Sequence, residues 1–563
     1  MTSIPPPLPI KIIHASGSDE EIGAAHARAV GDTAHEGMVP FLLGFWRKLL
    51  TPPTRGLVPS GASLALRLAG DASIRRLTSA LPASATARVR GLAREMGMSP
   101  PDAITALILP ELLPLLQGRL ACLAPWIFVP VATPRFGCSS FVSRGRRFLH
   151  GRNLDFPGVG HWDRFPVVQV VRPQQGYAHV GFVSAGVVFS GITGINEKRI
   201  SVSLHQHYGK YASLRGCPAF VIGESILNRA ASIEEAIAVV RASKVATSWA
   251  FIVTDGKTRD AVIIERHPRG LGLTRLGDRP AIAHSNFFQC AETRDGEYAT
   301  STRMNWDNQA RQQRLLGIVE KTADGLDPAA ACLALSDHYD PYLGVEKPLN
   351  RTVSQLYNIQ SIVIDPENML AWIAEGDAPI HLGRYRALSL TDLLAGGDGR
   401  TNETLPGYRF ATDGMDEAKR SLVQSLYHGF RWELEPALAH AEASLARAFS
   451  TEGAQIVAVL SMKLADPNRA VELLERAAAH SETAALARDV APPPEYFESL
   501  LQLARANDLA GKHEMARDIR KRLASDIRLE DRRLRNLARG SRNYNRRDLD
   551  RIVMPFSTYV PFM

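Results

Sequence analysis

The chain has 563 residues, 45% apolar and 22% charged, a composition that fits a large globular core and excludes global disorder or a fibrous repeat. Its net charge of +8 sits mainly in the tail, where Lys512–Arg551 carries 14 Lys/Arg against 7 Asp/Glu. Those acids are interleaved, so the stretch reads as a solvated helix face and no nucleic-acid partner is expected. Five cysteines, odd in number and without a C-x-x-C pair, exclude a disulfide framework and a structural zinc site, and neither a metal nor a cofactor is expected. The N-terminus lacks the basic start and apolar region of a secretory signal, and no run reaches ~18 uninterrupted apolar residues, so a cytoplasmic protein with no integral membrane segment is expected.

In chain order, Ile10–His14 predicts a strand and Ser16–Ala29 a helix with acidic residues at its positive end. Several helices follow through residue 117, the clearest being Ala85–Met96; another restarts at Ser99-Pro100-Pro101-Asp102. Leu120–Pro134 is apolar and broken by proline, suited to ordinary packing or to the wall of an acyl-chain pocket. Residues 139–143 and 148–154 are two β-prone runs joined by Arg144-Gly145-Arg146-Arg147, which predicts a hairpin. That hairpin would bring the thiol of Cys138, the guanidinium of Arg152 and the carboxylate of Asp155 to one strand end. A thiol beside a cation is a candidate nucleophile, although a lone cysteine is more often a small buried hydrophobe.

Short strands continue at Val167–Arg172, Ala178–Phe182, Val187–Ile192 and Ile200–His205, then helices at Ala219–Ala230 and Ser232–Ser243. Strands at Trp249–Thr254, Ala261–Glu265 and Ala281–His284 precede helices at Arg303–Lys321 and Pro328–Ser336, and Gln355–Ile364 and Met369–Glu375 close the run. Alternating strand pairs and helices predict a layered α+β domain. Residues 396–407 (GGDGRTNETLPG) read as a linker, beyond which the chain is Ala/Leu-rich and helical, weakly similar to tetratricopeptide hairpins.

Two blocks of five residues, Gly137-Cys138-Ser139-Ser140-Phe141 and Gly151-Arg152-Asn153-Leu154-Asp155, resemble the signature of the N-terminal-nucleophile (Ntn) hydrolases of the choloylglycine-hydrolase type. Within that superfamily the chain looks closest to the acyl-coenzyme A:6-aminopenicillanic acid acyltransferase branch, which carries a long segment before its cysteine. The resemblance implies a four-layer αββα sandwich over residues 138–395. Ahead of it would lie a helical pro-segment (1–137), and after it the linker and a helical extension (408–563) with a basic tail. It also implies self-cleavage between Gly137 and Cys138, leaving two associated chains, and thioester chemistry at Cys138 on a small-molecule or lipid-like linear amide.

By the family pattern Arg152 lies beside the thiol, Asp155 binds the α-ammonium, and Asn286 of Ser285-Asn286-Phe287-Phe288 is an oxyanion donor. The second donor falls on His205, or on Gln206 if the alignment slips by one; the turn before it, Asn196-Glu197-Lys198, has Arg199 where the family has glycine. A further family arginine corresponds to Arg303. Read without the resemblance, Asn286 is a turn cap, Arg303 a solvated residue at a helix start, and His205 with His207 a pair on one strand face that lacks a third metal ligand. The alternative function is a non-catalytic Ntn-fold relative whose helical C-terminal region binds a protein partner.

Overall fold

A computed structural model describes residues 4–49, 60–123, 137–156, 158–298, 302–322, 326–540 and 542–550. The expected pocket-wall stretch Leu120–Pro134 lies mostly outside the described residues, as does the end of the basic tail. The fold is mixed α+β. Its strands are β1 (Lys11–Gly17), β2 (Gly137–Arg144), β3 (Phe148–Asp155), β4 (Pro166–Pro173), β5 (His179–Ser184), β6 (Thr193–Asn196), β7 (Ile200–Gln206), β8 (Trp249–Asp255) and β9 (Asp260–His267). They continue as β10 (Gly270–Arg275), β11 (Ala281–His284), the short hairpin β12 (Tyr339–Asp340) and β13 (Val345–Glu346), β14 (Asn358–Asp365), β15 (Leu370–Glu375), β16 (Arg384–Ser389) and β17 (Arg400–Leu405).

Eight of these form one sheet in the order β1-β4-β5-β6-β7-β8-β9-β10, and seven form another in the order β11-β2-β3-β14-β15-β16-β17. Polar side chains join the sheets: His150 on β3 bonds the hydroxyls of Ser201 (2.8 Å) and Ser203 (2.9 Å) on β7. Helices Ala219–Arg229 and Ile233–Ala242 pack on the first sheet, and Thr302–Lys321 and Pro328–Leu335 on the second.

The N-terminal segment is built into this body. β1 pairs in parallel with β4, Lys11 opposite Val167 through Gly17 opposite Pro173. Helix Asp19–Val30 starts at a capping box between Ser18 and Glu21 and crosses helix Ala83–Glu95 closely. Glycines permit that crossing: a Cβ on Gly23 would lie 1.9 Å from the Arg88 carbonyl oxygen, and one on Gly91 2.0 Å from that of Glu20. Buried Arg88 bridges Asp19 (2.7 Å) and Glu224, and the arginine with His179 holds the Glu224 carboxyl down at about 2 despite burial.

Two sequence expectations are corrected. Val187–Ile192, expected as a strand, ends in a 3₁₀ turn at Ser190–Ile192, and the strand is Thr193–Asn196. Residues 400–405 of the expected linker form β17, an edge strand on β16; at an edge, polar side chains face solvent and only backbone pairing is needed. Helix Met415–Phe430 then opens the C-terminal region, where Leu434–Arg447, Thr451–Lys463, Pro467–Leu486, Pro494–Leu509 and His513–Ser525 each pack on the preceding one.

Buried ion pairs join these helices to the sheets. Arg303 reaches Glu498 (2.6 Å), Lys347 reaches Glu452 (2.6 Å), and Arg351 bridges Asp340 (2.7 Å) and Glu495 (2.6 Å). Asn350 and Arg351, consecutive at φ 73° and 58°, occupy the left-handed region disfavoured for residues with a Cβ. That conformation holds because Glu495 and Asp340 clamp the Arg351 side chain while Asp307 accepts its backbone N–H (2.7 Å).

Candidate active site

The expected hairpin forms as β2 and β3 around a turn at residues 145–147, in register from Gly137 opposite Asp155 to Arg144 opposite Phe148. Strand alternation sorts its side chains. Cys138 and Ser140 share a face with their partners Leu154 and Arg152, while Ser139 and Phe141 share the other face with Asn153 and Gly151. Gly151 is required by packing: a Cβ there would lie 2.1 Å from the Phe141 ring. On that second face Asn153 Nδ2 donates to the Leu335 carbonyl (2.7 Å), tying the hairpin to the helix outside it.

Cys138 is fully buried. Its backbone N–H donates to Asn286 Oδ1 (2.7 Å), and its carbonyl oxygen accepts from Arg311 Nη1 (2.7 Å). Arg311 also donates to Ser139 Oγ (3.0 Å) and Asn286 Oδ1 (3.1 Å) and is ion-paired one helical turn back to Asp307 (2.8 Å). Asn286 completes the brace by donating from Nδ2 to the Gln206 carbonyl (2.9 Å). One asparagine and one arginine therefore hold both backbone polar groups of Cys138.

Asp155 lies beside the Gly137–Cys138 peptide. A Cβ on Gly137 would sit 3.2 Å from the Asp155 Cβ and 3.5 Å from Oδ2, and among the described residues Oδ2 has no hydrogen-bond partner although it is buried. Oδ1 accepts from Asn358 Nδ2 (2.9 Å). Burial pushes the carboxyl up to about 6, against the opposing pull of Arg311, the Asn358 bond, Arg152 and Lys419. Arg152 is buried on the thiol's face, with Nε on Thr193 Oγ1 (3.0 Å) and Nη2 on the Leu204 carbonyl (2.8 Å).

Arg152 and Leu204 also line an apolar cavity. The N-terminal segment supplies Met38, Val39, Leu42, Leu107 and Pro110 to its wall, and Phe156, Trp162, Phe189, Phe220 and Trp249 supply the aromatic side. Arg152 is the only charged residue among the described lining. Gln206 helps anchor this wall, its Nε2 donating to the Pro110 carbonyl (2.9 Å). That carbonyl is open because the residue four positions on, Pro114, has no N–H to offer it.

Two expected site residues take other roles. His205 Nδ1 faces the Ser285 carbonyl (3.3 Å), which can only accept, so Nδ1 carries the proton and Nε2 accepts from the Ser140 hydroxyl (2.7 Å). Burial, then Arg152, hold its pKa well below 6.5, so it stays neutral, and the tautomer it adopts has no N–H left for an oxyanion. Arg303 bonds Gln455 (2.9 Å) and Glu498 on the C-terminal helices; the arginine at Cys138 is Arg311, eight residues further along the same helix. Only the i,i+4 spacing of Asp307 and Arg311 hinted at it in the sequence. Arg199 adopts φ 62°, the left-handed backbone that a glycine would take without strain, in a turn tied by Asn196 Oδ1 to the Lys198 and Ile200 N–H groups. His207 Nε2 meets His284 Nε2 (2.7 Å), and among the described residues no cluster of His, Cys, Asp and Glu is arranged to hold a metal.

Residues 142–378 match the family model described as Acyl-coenzyme A:6-aminopenicillanic acid acyl-transferase. That segment is similar to this family. The acyl-transferase family lies with choloylglycine hydrolase in the Ntn-hydrolase superfamily, and the likeness of this segment points to acyltransferase/hydrolase chemistry. Arg152, Asp155, Asn286 and Arg311 fall inside the match, whereas Cys138 lies four residues ahead of it. No curated protein matches the chain. Among the described residues no helix is long and apolar enough to cross a membrane.

Proposed function

We propose that the protein is a self-processing cysteine amidohydrolase or acyltransferase of the Ntn type, acting on linear amides with an apolar acyl group. The observation that carries this reading is the framing of the Gly137–Cys138 peptide. Asn286 and Arg311 hold the backbone of Cys138, and Asp155 presents a buried oxygen beside Gly137 that has no partner among the described residues. In the first reaction the Cys138 sulfur bonds to the Gly137 carbonyl carbon, the C–N bond breaks, and the nitrogen takes the thiol proton. Water then cleaves the thioester, leaving a Gly137 carboxylate and a free Cys138 thiol and α-amine.

The α-ammonium so formed has a counter-charge waiting in Asp155, and the neutral amine serves as general base for the thiol. The substrate acyl group then resides on sulfur until water or an acceptor amine removes it. The cavity ending at Arg152 supports an apolar acyl chain, since a polar one would be desolvated there without partners. The two facing sheets with helices on their outer sides support a four-layer αββα sandwich. The β1–β4 ladder and the buried Arg88–Glu224 pair support continued association of the N-terminal piece after cutting. Intact-mass analysis of purified protein tests the reading: chains of 137 and 426 residues are expected, with Cys138 as the new N-terminus. A single uncut chain that hydrolyses no amide in an N-acyl series would overturn it.

A further inference from the structure

Helix Met415–Phe430 lies outside the family-matched segment, yet it sends Lys419 into the catalytic body. Lys419 is fully buried. Its Nζ donates to Ser354 Oγ (2.6 Å), His338 Nε2 (2.7 Å) and the Ser354 carbonyl (3.3 Å), three acceptors that match the three protons of an ammonium. Ser354 Oγ also contacts His381 Nε2, and the His381 backbone N–H donates to Asn358 Oδ1 (3.3 Å). Asn358 in turn donates from Nδ2 to Asp155 Oδ1. A continuous chain of buried contacts therefore runs from the C-terminal region to the carboxylate beside the Gly137–Cys138 peptide.

We propose that Lys419 is a positioning residue for Asp155, so that the C-terminal helical region is part of the self-processing machinery. The inference rests on the self-processing reading above. Lys419 acts in two ways. Through Ser354, His381 and Asn358 it fixes the Asp155 oxygen that accepts from Asn358, leaving the other oxygen toward Gly137. Burial pulls the Lys419 pKa well below its ordinary 10.5 and Asp155 pulls it back up, so in its ammonium form its charge joins those of Arg152 and Arg311 in favouring the ionised Asp155 that burial disfavours. The imidazoles around Lys419 do not compete, since burial keeps His338 and His381 neutral. Asp416 and Arg420, the other charges felt by Lys419, lie on its own helix and oppose each other.

The decisive experiment follows self-cleavage of the full-length chain, made by cell-free translation, moved on ice into buffers of pH 5.5–8.5 and warmed. The cut fraction is read by intact mass, so no substrate need be known. Lys419→Gln removes the charge while keeping a polar side chain, so the Asp155 pKa rises and the acid limb of the cleavage rate moves up by about one pH unit. Cleavage at pH 6 should be about fivefold slower than in the native chain, and within about twofold at pH 8. A role in packing alone would lower stability without moving the limb, and a native-like profile in Lys419→Gln overturns the inference. Should that variant be insoluble, Lys419→Gln/Asp155→Asn decides: loss of both charges should restore soluble protein, and persistent insolubility assigns Lys419 to packing and overturns the inference. A native chain that never cuts defeats the underlying reading and this inference with it, whereas a cutting native chain with an unmoved variant defeats the inference alone.

Discussion

Asp155→Asn should make the protein more stable and inactive at once. The carboxyl is fully buried, and its pKa is raised from 3.8 to about 6. Because the folded chain binds this proton more tightly than the unfolded chain, the group adds no penalty well below pH 4. Stability then falls as pH rises between the two pKa values and levels off above about pH 6. The difference of about two pH units corresponds to about 3 kcal/mol of lost stability at pH 7.5, and to about 0.5 kcal/mol at pH 4. An amide at position 155 escapes this penalty but leaves an N–H₂ group where Oδ2 has no partner, a cost of about 1–2 kcal/mol. The net gain at pH 7.5 is therefore about 1–2 kcal/mol, and it turns into a net loss near pH 4.

The comparison is made between Cys138→Ala and Cys138→Ala/Asp155→Asn, so that both proteins unfold as uncut single chains, by thermal melts at pH 4, 5, 6 and 7.5. A crossing of the two stability curves on the acid side is the signature. A gap independent of pH would refute the assignment of Asp155 as a buried carboxylate that ionises near pH 6. Full self-cleavage by the Asp155→Asn single variant would refute its role at the peptide.

Cys138→Ala should abolish cutting, whereas Cys217→Ala and Cys290→Ala should leave it intact, because burial pushes those two thiols up to about 12 and about 11; mass spectrometry of each variant checks this. Asn286→Ala removes the acceptor of the Cys138 N–H and one acceptor of Arg311, and should slow self-cleavage by about ten- to a hundredfold. His205→Ala, which removes an acceptor for Ser140 and no oxyanion donor, should cost less than about tenfold in the same assay, and a loss as large as that of Asn286→Ala would restore His205 as a donor. Phe220→Ala should enlarge the apolar cavity and move the preferred acyl chain of an N-acyl amide series to greater length, read as a change in the kcat/KM ranking.

The β2–β3 hairpin was legible because its information is local. A basic glycine-containing turn separates two β-prone runs, and pairing follows from that turn alone. Gly137, Cys138, Arg152 and Asp155 accordingly come together, whereas Asn286, 148 positions from Cys138, reaches it only through tertiary packing and there accepts its backbone N–H. Arg311 was not legible, since helix Thr302–Lys321 carries several arginines and only its packing on β2 and β11 selects the one that reaches Cys138. The failure of His205 as a donor is decided by the Ser285 carbonyl, 80 positions away, which sets the tautomer. Residues 400–405 looked like a linker because an edge strand needs no apolar face, so composition carries no trace of the pairing with β16. The outlines of the C-terminal helices were visible in the Ala/Leu pattern, but helix Met415–Phe430 was not singled out, and nothing periodic announces that its Lys419 points inward.

If the chain cuts itself as proposed, the parallel ladder of β1 on β4 has a thermodynamic consequence. Before cutting, that ladder closes a long loop within one molecule, and folding is a first-order event. Afterwards the same seven paired positions belong to two molecules, and unfolding releases them separately into solution. The midpoint of thermal unfolding then depends on protein concentration, as for any obligate dimer. Dilution favours the separated state, in which β4 is left as an open edge with unpaired N–H and C=O groups. Cutting would thus convert a protein that can refold alone into one that must find its other half, and melts at graded concentrations should then separate the native protein from uncut Cys138→Ala.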